Sequence, residues 1–456
     1  VKTRIANVWQ ELRSSFWFVP VLMALLAAML SFVTLALDAA PGLLPQATSW
    51  FWSGEPQGAR DMLTTIAASM ITVAGMVFSI TVVALTLAAN QFGPRLLRNF
   101  MRDPGNQVVL GTFIATFLYC LLVLRAVGGA NDTVFIPHFS VTVAVALAVA
   151  SLAVLIYFIH HVSMSLQVEN LASGIATELA EGIDNLFPEK LGTALEPNTY
   201  SEFSVPEAAG EELKTVVTRH SGYLQAIENE NLMATAERHD LLLCVHSIPG
   251  EFARDGTVLL VAWPVERCSD EVAEAIAAMF VIGRQRTSTQ DVTYPMQQLV
   301  SIAVRALSPG INDPLTAVTC IDWIGNGLGH LAERKIPSPF RLDRTGRLRV
   351  IAPTLNFAEL ADVAFNQIRQ MGAGHLSVML RLLESIETNG RRVHRPEDRV
   401  ALAHHARWIA EQTRRAGHHH RDLEMVELLY ERVARSLSGD GGDEEDDVGS
   451  SASDRM

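Results

Sequence analysis

Four stretches of this chain, Phe16 to Leu37, Met62 to Ala89, Val108 to Leu124 and Phe139 to Ile159, contain no charged side chain. Each is long enough, or nearly so, to cross a hydrocarbon layer of roughly 30 Å as a helix. A helix satisfies its own backbone hydrogen bonds, which lipid cannot do for it. The expected fold class is an α-helical membrane domain (four transmembrane helices) followed by a cytosolic α+β unit and a helical bundle. The first stretch follows Lys2, Arg4 and Arg13, as a signal peptide would. Its apolar run is too long for one, and Asp38-Ala39-Ala40-Pro41 is a poor cleavage site, so it reads as a retained helix.

The second stretch carries a row of polar groups at heptad spacing: Thr65, Ser69, Thr72, Ser79, Thr86 and then Asn90, with Met76 and Val83 at the remaining steps. The steps alternate four and three, so all these residues share one helix face. Hydrocarbon offers hydroxyls no partner, so this face is expected to turn toward another helix or water. That makes the second helix the centre of the membrane domain, as a packing axis or as the wall of a pore. In a pore, several subunits would stack hydroxyl rings that replace part of an ion's hydration shell, interrupted by apolar rings at Met76 and Val83 that gate by dewetting. Asn90, Gln91 and Arg95 would form the inner mouth, where positive charge favours anions or reduces cation selectivity. In a packing interface, Gly75 and the alanines Ala67, Ala68, Ala84, Ala88 and Ala89 ease close backbone approach. The sequence leaves both uses open. The lack of ionisable groups inside the spans argues against a proton-coupled transporter. His160 and His161 read as interfacial.

Lys2, Arg4 and Arg13 flank the first helix and Arg95, Arg98 and Arg102 follow the second, whereas the link from Asp38 to Asp61 sets Arg60 against Asp38, Glu55 and Asp61. The positive-inside rule then places both termini in the cytoplasm and Trp50-Phe51-Trp52 at the outer interface. Cys120, Cys244, Cys268 and Cys320 form no Cys-x-x-Cys pair, which fits a reducing compartment and gives neither disulfide framework nor zinc site. No cofactor is implied. The net charge of −13 comes partly from an acidic low-complexity tail at 439–456, expected to be disordered. No basic domain or nucleic-acid motif appears.

After the membrane domain (1–161), a connecting helix at 162–188 is expected, amphipathic through Ile175, Leu179 and Ile183 and stopped at Pro188. A small α+β unit at 189–268 follows, with strands at Gly222 to Ile227, Leu241 to Ser247 and Thr257 to Trp263, and a helix from Glu228 to His239. The segment 269–438 reads as helical. Ser269 is the N-cap of a helix from Glu271 to Ile282, and further helices cover Tyr294 to Leu307, Pro314 to Lys335, Ala358 to Met371, Ser377 to Asn389, Arg395 to Ala416 and Arg421 to Ser438. A hairpin is expected within Arg341 to Ile351.

Two loops are dense in directional groups, Gly283 to Asp291 and Arg305 to Ala317. In the second, Ser308-Pro309-Gly310 forces a turn and Asn312 or Asp313 can cap the helix that Pro314 opens. At Arg305-Ala306-Leu307-Ser308-Pro309-Gly310-Ile311-Asn312-Asp313-Pro314, and at Ser79 to Leu85 followed by Gln91-Phe92-Gly93-Pro94-Arg95-Leu96-Leu97, the chain resembles the bacterial predicted membrane proteins of the domain of unknown function 2254 family. Ser221-Gly222-Tyr223-Leu224-Gln225 and Pro249-Gly250-Glu251-Phe252 extend the likeness to almost the whole chain except the acidic tail. The resemblance implies the architecture and a bacterial cytoplasmic (inner) membrane location, and no catalytic or binding role.

An enzyme would have to gather Arg286, Asp291, Arg305, Asn312, Asp313 and His375 into one polar pocket, with arginines binding an anion and carboxylates holding a metal or polarising water. No mechanistic motif supports it: there is no P-loop, Gly-x-Gly-x-x-Gly, His-Glu-x-x-His or nucleophile elbow. The histidines of His404-His405 and His418-His419-His420 point in different directions from one helix, so they read as surface residues and not metal ligands. The favoured function is an oligomeric ion channel whose second helix lines the path for inorganic ions through the lipid bilayer, with a cytosolic gating or sensing domain. The alternative is a non-conducting membrane-anchored scaffold.

Overall fold

The computed structural model describes residues 17–40, 55–92, 104–128, 135–165, 167–186, 193–194 and 212–438. Lys2, Arg4, Arg13, the Trp50-Phe51-Trp52 cluster, Arg95, Arg98, Arg102 and the acidic tail lie outside the described residues. So do the side chains of Asn90 and Gln91. The chain divides into two compact units, Val1–Asn170 and Leu171–Met456.

The first unit holds helices α1 (Phe18–Ala39), α2 (Pro56–Phe92), α3 (Pro104–Ala126) and α4 (His138–Ser165), all four long and apolar enough to cross a membrane. The second helix is not their centre. Helix α3 packs against each of the other three, and 44% of its apolar window is buried, against 22% for each of the others. The packing-axis form of the expectation fails, because a face of hydroxyls does not need a second helix when each hydroxyl can bond its own backbone. Helix α2 instead packs through Ala59, Leu63, Ala67, Ala74, Val77 and Ala84, buried at helical spacing.

Polar groups tie these helices together. The Asp38 carboxylate, at the end of α1, accepts bonds from the backbone N–H groups of Phe139 and Ser140, both at 2.9 Å, and from the Ser140 hydroxyl at 2.6 Å. An anion from α1 thus caps the positive end of α4. Behind it the buried Tyr119 hydroxyl of α3 donates to the Ser140 carbonyl at 3.1 Å and lies 2.9 Å from the Thr34 hydroxyl of α1. Thr116 and Ser151 join α3 to α4 at 3.1 Å.

Helix α4 ends at Ser165 and α5 (Val168–Leu186) begins after a break, so the connecting segment is not one continuous helix. The second unit then carries β1 (Thr193–Ala194), β2 (Lys214–Val217), β3 (Gly222–Ile227), α6 (Asn229–His239), β4 (Leu242–Val245), β5 (Phe252–Ala253), β6 (Val258–Trp263), α7 (Asp270–Ala277) and β7 (Phe280–Gly283). Next come α8 (Thr293–Ala306), α9 (Pro314–Ala332), β8 (Phe340–Leu342) and β9 (Leu348–Ile351). The final helices are α10 (Phe357–Gly372), α11 (Leu376–Gly390), α12 (Pro396–Arg415) and α13 (His420–Ser438).

One sheet runs β1-β8-β9-β4-β6-β2 and the other β5-β3-β7. All pairs are antiparallel except β4 with β9. Leu224, Leu232, Leu241, Leu243, Leu259, Leu260, Phe280 and Val350 fill the core between sheets and helices. The expected hairpin within Arg341 to Ile351 exists, and it extends the sheet beside β4. Ser269 caps α7 by accepting from Val272 N–H at 3.4 Å. The helix stops at Ala277 rather than running to Ile282, because Phe280 to Gly283 pair with β3. That pairing needs glycine: a Cβ at Gly222 would meet the Gly283 carbonyl oxygen at 2.6 Å.

Replacing Asp38 with Ala leaves the first turn of α4 without its anion. We expect a loss of about 2–3 kcal/mol, charge-assisted hydrogen bonds being the strong class, with Asp38→Asn losing less. Thermal unfolding in detergent micelles at matched protein concentration measures it.

Candidate functional site

The hydroxyl row lies on open surface. Thr65, Ser69, Thr72, Met76, Ser79, Val83 and Thr86 are all exposed, Met76 and Val83 at 59% each. At 100° per residue this row lies roughly half a turn from the buried Ala59-Leu63-Ala67-Ala74 face. Each hydroxyl donates to the carbonyl four residues earlier: Thr65 to Asp61 at 2.7 Å, Ser69 to Thr65 at 2.7 Å, Thr72 to Ala68 at 2.8 Å, Ser79 to Gly75 at 2.9 Å and Thr86 to Val82 at 2.9 Å. Their donors are therefore satisfied inside the helix, and their lone pairs face outward. From Thr65 to Thr86 the row spans about 32 Å, which matches the hydrocarbon thickness.

The polar loops of the second unit form two clusters, not one pocket. Arg286 and Asp291 meet. The guanidinium Nε donates to Asp291 Oδ2 at 2.9 Å and Nη2 to the same oxygen at 2.6 Å, while Nη1 reaches Gln297 Oε1 at 2.6 Å. Asp291 Oδ1 accepts from Thr293 N–H at 3.1 Å, the Thr293 hydroxyl at 2.6 Å and Tyr294 N–H at 3.2 Å, which caps α8. Arg286 lies 5.5 Å from the centre of the Tyr294 ring. The turn at Gly250, with φ +98°, closes over this pair so tightly that a Cβ would collide with the Asp291 carboxylate and stand 3.0 Å from Arg286 Nη2. Around it, Gln290 grips both the N–H and the carbonyl of Ile227, at 2.9 and 3.0 Å, and Ser288 bonds Glu178 of α5.

Arg305, Asn312 and Asp313 sit at the other end of α8, whose 14 residues separate the two clusters by about 20 Å. There Asp313 caps α9, accepting from Thr316 N–H at 3.2 Å and its hydroxyl at 2.6 Å, with Pro314 at the first helical turn. Asn312 takes the left-handed conformation at φ +51°. His375 is the N-cap position of α11 and has no side-chain cap bond. The six residues do not converge, so the single-pocket arrangement is set aside. Asp313 spends both oxygens on a helix start, and Asp291 divides its two between a helix start and Arg286.

The histidines divide. His420 pairs with Glu424 at 3.1 Å on the surface, and His418 Nε2 lies 2.8 Å from the Ala373 carbonyl. His405, expected at the surface, is buried: it belongs to the inner face of α12 with Leu402, Ala406 and Ile409, against Phe365 and Trp408. Among the described residues no group of three or more His, Cys, Asp or Glu side chains is placed to hold a metal ion.

Asp291→Ala strips Arg286 of its carboxylate and uncaps α8. A buried pair broken on one side costs about 3–5 kcal/mol, and we expect loss of cooperative unfolding of the second unit at 37 °C, read by protease resistance of the full chain. Burial lowers the His405 pKa to about 4, with Arg369 and His404 adding to it and Asp362, 3.4 Å away, opposing. A histidine held neutral by the fold contributes fully above its unfolded pKa near 6.5, and that contribution is lost as pH falls toward 4. The linked loss is on the order of 3 kcal/mol. His405→Phe is therefore expected to flatten the fall of Tm between those pH values.

The family model for the predicted membrane proteins of DUF2254 matches residues 13–388. Uncharacterized proteins of Mycobacterium bovis and of two Mycobacterium tuberculosis strains are 34% identical over 359 residues, covering 77% of this chain and 67% of each relative. No solved structure matches. The match over most of the chain and the apolar helices agree: the chain belongs to the DUF2254 family of predicted membrane proteins.

Proposed function

We propose that this chain forms a homo-oligomeric ion channel of the bacterial inner membrane, with the hydroxyl face of α2 turned toward the symmetry axis and lining the path. One observation carries the reading: the face that runs the depth of the bilayer with the most polar side chains is also a face of α2 that, among the described residues, no helix of its own chain covers. One helix per subunit closes a path only when several subunits surround it. Thr65, Ser69, Thr72, Ser79 and Thr86 then present rings of oxygen, and Met76 and Val83 present the apolar rings at which water withdraws. Asn90, Gln91 and Arg95 continue toward the inner mouth. Both termini are cytoplasmic in this reading, and the second unit senses or gates from the cytosol, where Arg286, Asp291, Asp313 and their caps keep it rigid.

A second reading has support in the i−4 bonds. Because each hydroxyl proton is already used, the face can rest against lipid or another helix without water, as in a non-conducting scaffold whose second unit binds a ligand or partner.

Thiol accessibility separates the two. The native cysteines are buried, so single cysteines at Thr72 and Ser79, compared with Phe78 and Val82 on the neighbouring exposed flank, report on water in liposome-inserted protein. A water-lined face should react with charged thiosulfonates at least roughly tenfold faster than the flank, since only a solvated thiol ionises readily. Equal silence at all four positions favours the scaffold.

A further inference from the structure

The polar face of α2 begins one step before its first threonine. Asp61 precedes Thr65 by four residues, on the same face and exposed. Its side-chain carboxylate accepts from Gln57 Nε2 at 3.0 Å, and its main-chain carbonyl accepts the Thr65 hydroxyl at 2.7 Å. The adjacent cation is drawn elsewhere. Arg60 Nη2 donates to the Val127 carbonyl at 2.7 Å, across the packed side of the helix, and stands so close to Gly128 that a Cβ there would meet it at 2.7 Å. At this end of the row, about 6 Å beyond the hydrocarbon-length stretch, the exposed face of α2 therefore carries a carboxylate with no cation beside it among the described residues. From Asp61 to Gln91 the sequence has no lysine or arginine.

The hydroxyls add to this independently. Each has donated its single proton to the carbonyl four residues earlier, so a passing ion meets lone pairs. A cation is coordinated by such oxygens as they stand. An anion needs donors, and would obtain them only by breaking those internal bonds at about 1 kcal/mol each.

We propose that the path is selective for cations over anions and that Asp61 is its specificity-determining residue, repeated around the axis as an acidic ring at one mouth. The proposal rests on the channel reading above. A ring of carboxylates above low-dielectric walls concentrates cations and repels anions, and acceptor oxygens along the wall take over part of the hydration shell.

The test is ion current through full-length protein in a planar bilayer under a roughly tenfold gradient of potassium chloride, where the reversal potential reports the ion carried. The wild type should reverse toward the potassium potential. Asp61→Asn, which keeps an acceptor for Gln57, should lower the potassium-to-chloride permeability ratio several-fold, with the loss of conductance fading at high salt as the ring is screened. Asp61→Glu should restore both. Wild-type currents that reverse toward the chloride potential overturn the cation assignment without a variant and leave the channel standing. Unchanged selectivity in assembled Asp61→Asn overturns the role of Asp61. Silence from inserted wild-type oligomers removes the channel reading, and this inference with it.

Discussion

A helix in lipid has to settle every hydrogen bond within the protein, and the i−4 bond of serine and threonine is the means by which α2 does so. Five hydroxyls that would otherwise demand a neighbour are closed onto their own backbone. Their helix is thereby free to keep a polar face outward while packing through alanine and leucine on the opposite side. The centre of the unit falls to α3, where Thr112 closes onto its own backbone in the same way but Tyr119 cannot. Tyr119 is too long to reach its own turn, so its hydroxyl needs Ser140 and Thr34, and that need brings α1, α3 and α4 together.

The second unit uses its polar groups in the opposite manner. Asp291, Asp313 and the Asn356–Glu359 capping box all start helices, at α8, α9 and α10. Arg286 exists in that scheme to neutralise Asp291. Gly250 is required because the turn carrying it lies directly on the pair, which fastens the sheet region to α8. A loop dense in arginine, aspartate and glutamine therefore resembles a binding site in sequence and acts as a joint in space. Asp343 repeats the pattern in the turn from β8 to β9. It accepts Thr345 N–H at 2.8 Å and Arg347 N–H at 3.0 Å, and Arg349 Nε at 2.8 Å. Against the cost of burial, the bonds from Thr345, Arg349 and Arg347 hold this carboxyl below the usual range.

Legibility followed the kind of signal each element carries. Long apolar runs and strong caps were readable: the four spans, Ser269, Asp313 with Pro314, and the C-terminal helices to within a residue or three of their ends. Two short strands were not, although Leu242–Val245 and the hairpin within Arg341 to Ile351 were. Lys214–Val217 and Phe280–Gly283 are four residues each, too brief for alternation to stand out, and the second reads as the tail of a helix until β3 offers it an edge. The sequence told that Thr65 to Thr86 share a face, but not which side of the helix the other three would occupy. That depends on the alanine face opposite, whose small residues serve packing equally well on either side of the argument. His405 was misplaced for a related reason: its neighbours Leu402 and Ile409 define a buried face whose histidine is invisible to a rule that counts adjacent histidines. Asp61 stands at i−4 from Thr65 on the same face, although its place beside the first link makes it read in sequence as loop charge.

The two units thus differ in where unused hydrogen-bonding capacity remains. In the second unit the principal carboxylates among the described loops are closed by caps and arginines, so the chemistry they suggest is spent on holding shape. On α2 the protons are spent and the lone pairs are not, and the carboxylate of Asp61 stands at the head of the row with Arg60 turned to Val127. A row of acceptors as long as the bilayer is thick, with an anion at one end, has an electrostatic direction that a packing surface does not need. Packing alone would be served by alanine, which α2 already places on its other face. In the proposed channel a cation would use the lone pairs that the back bonds leave over.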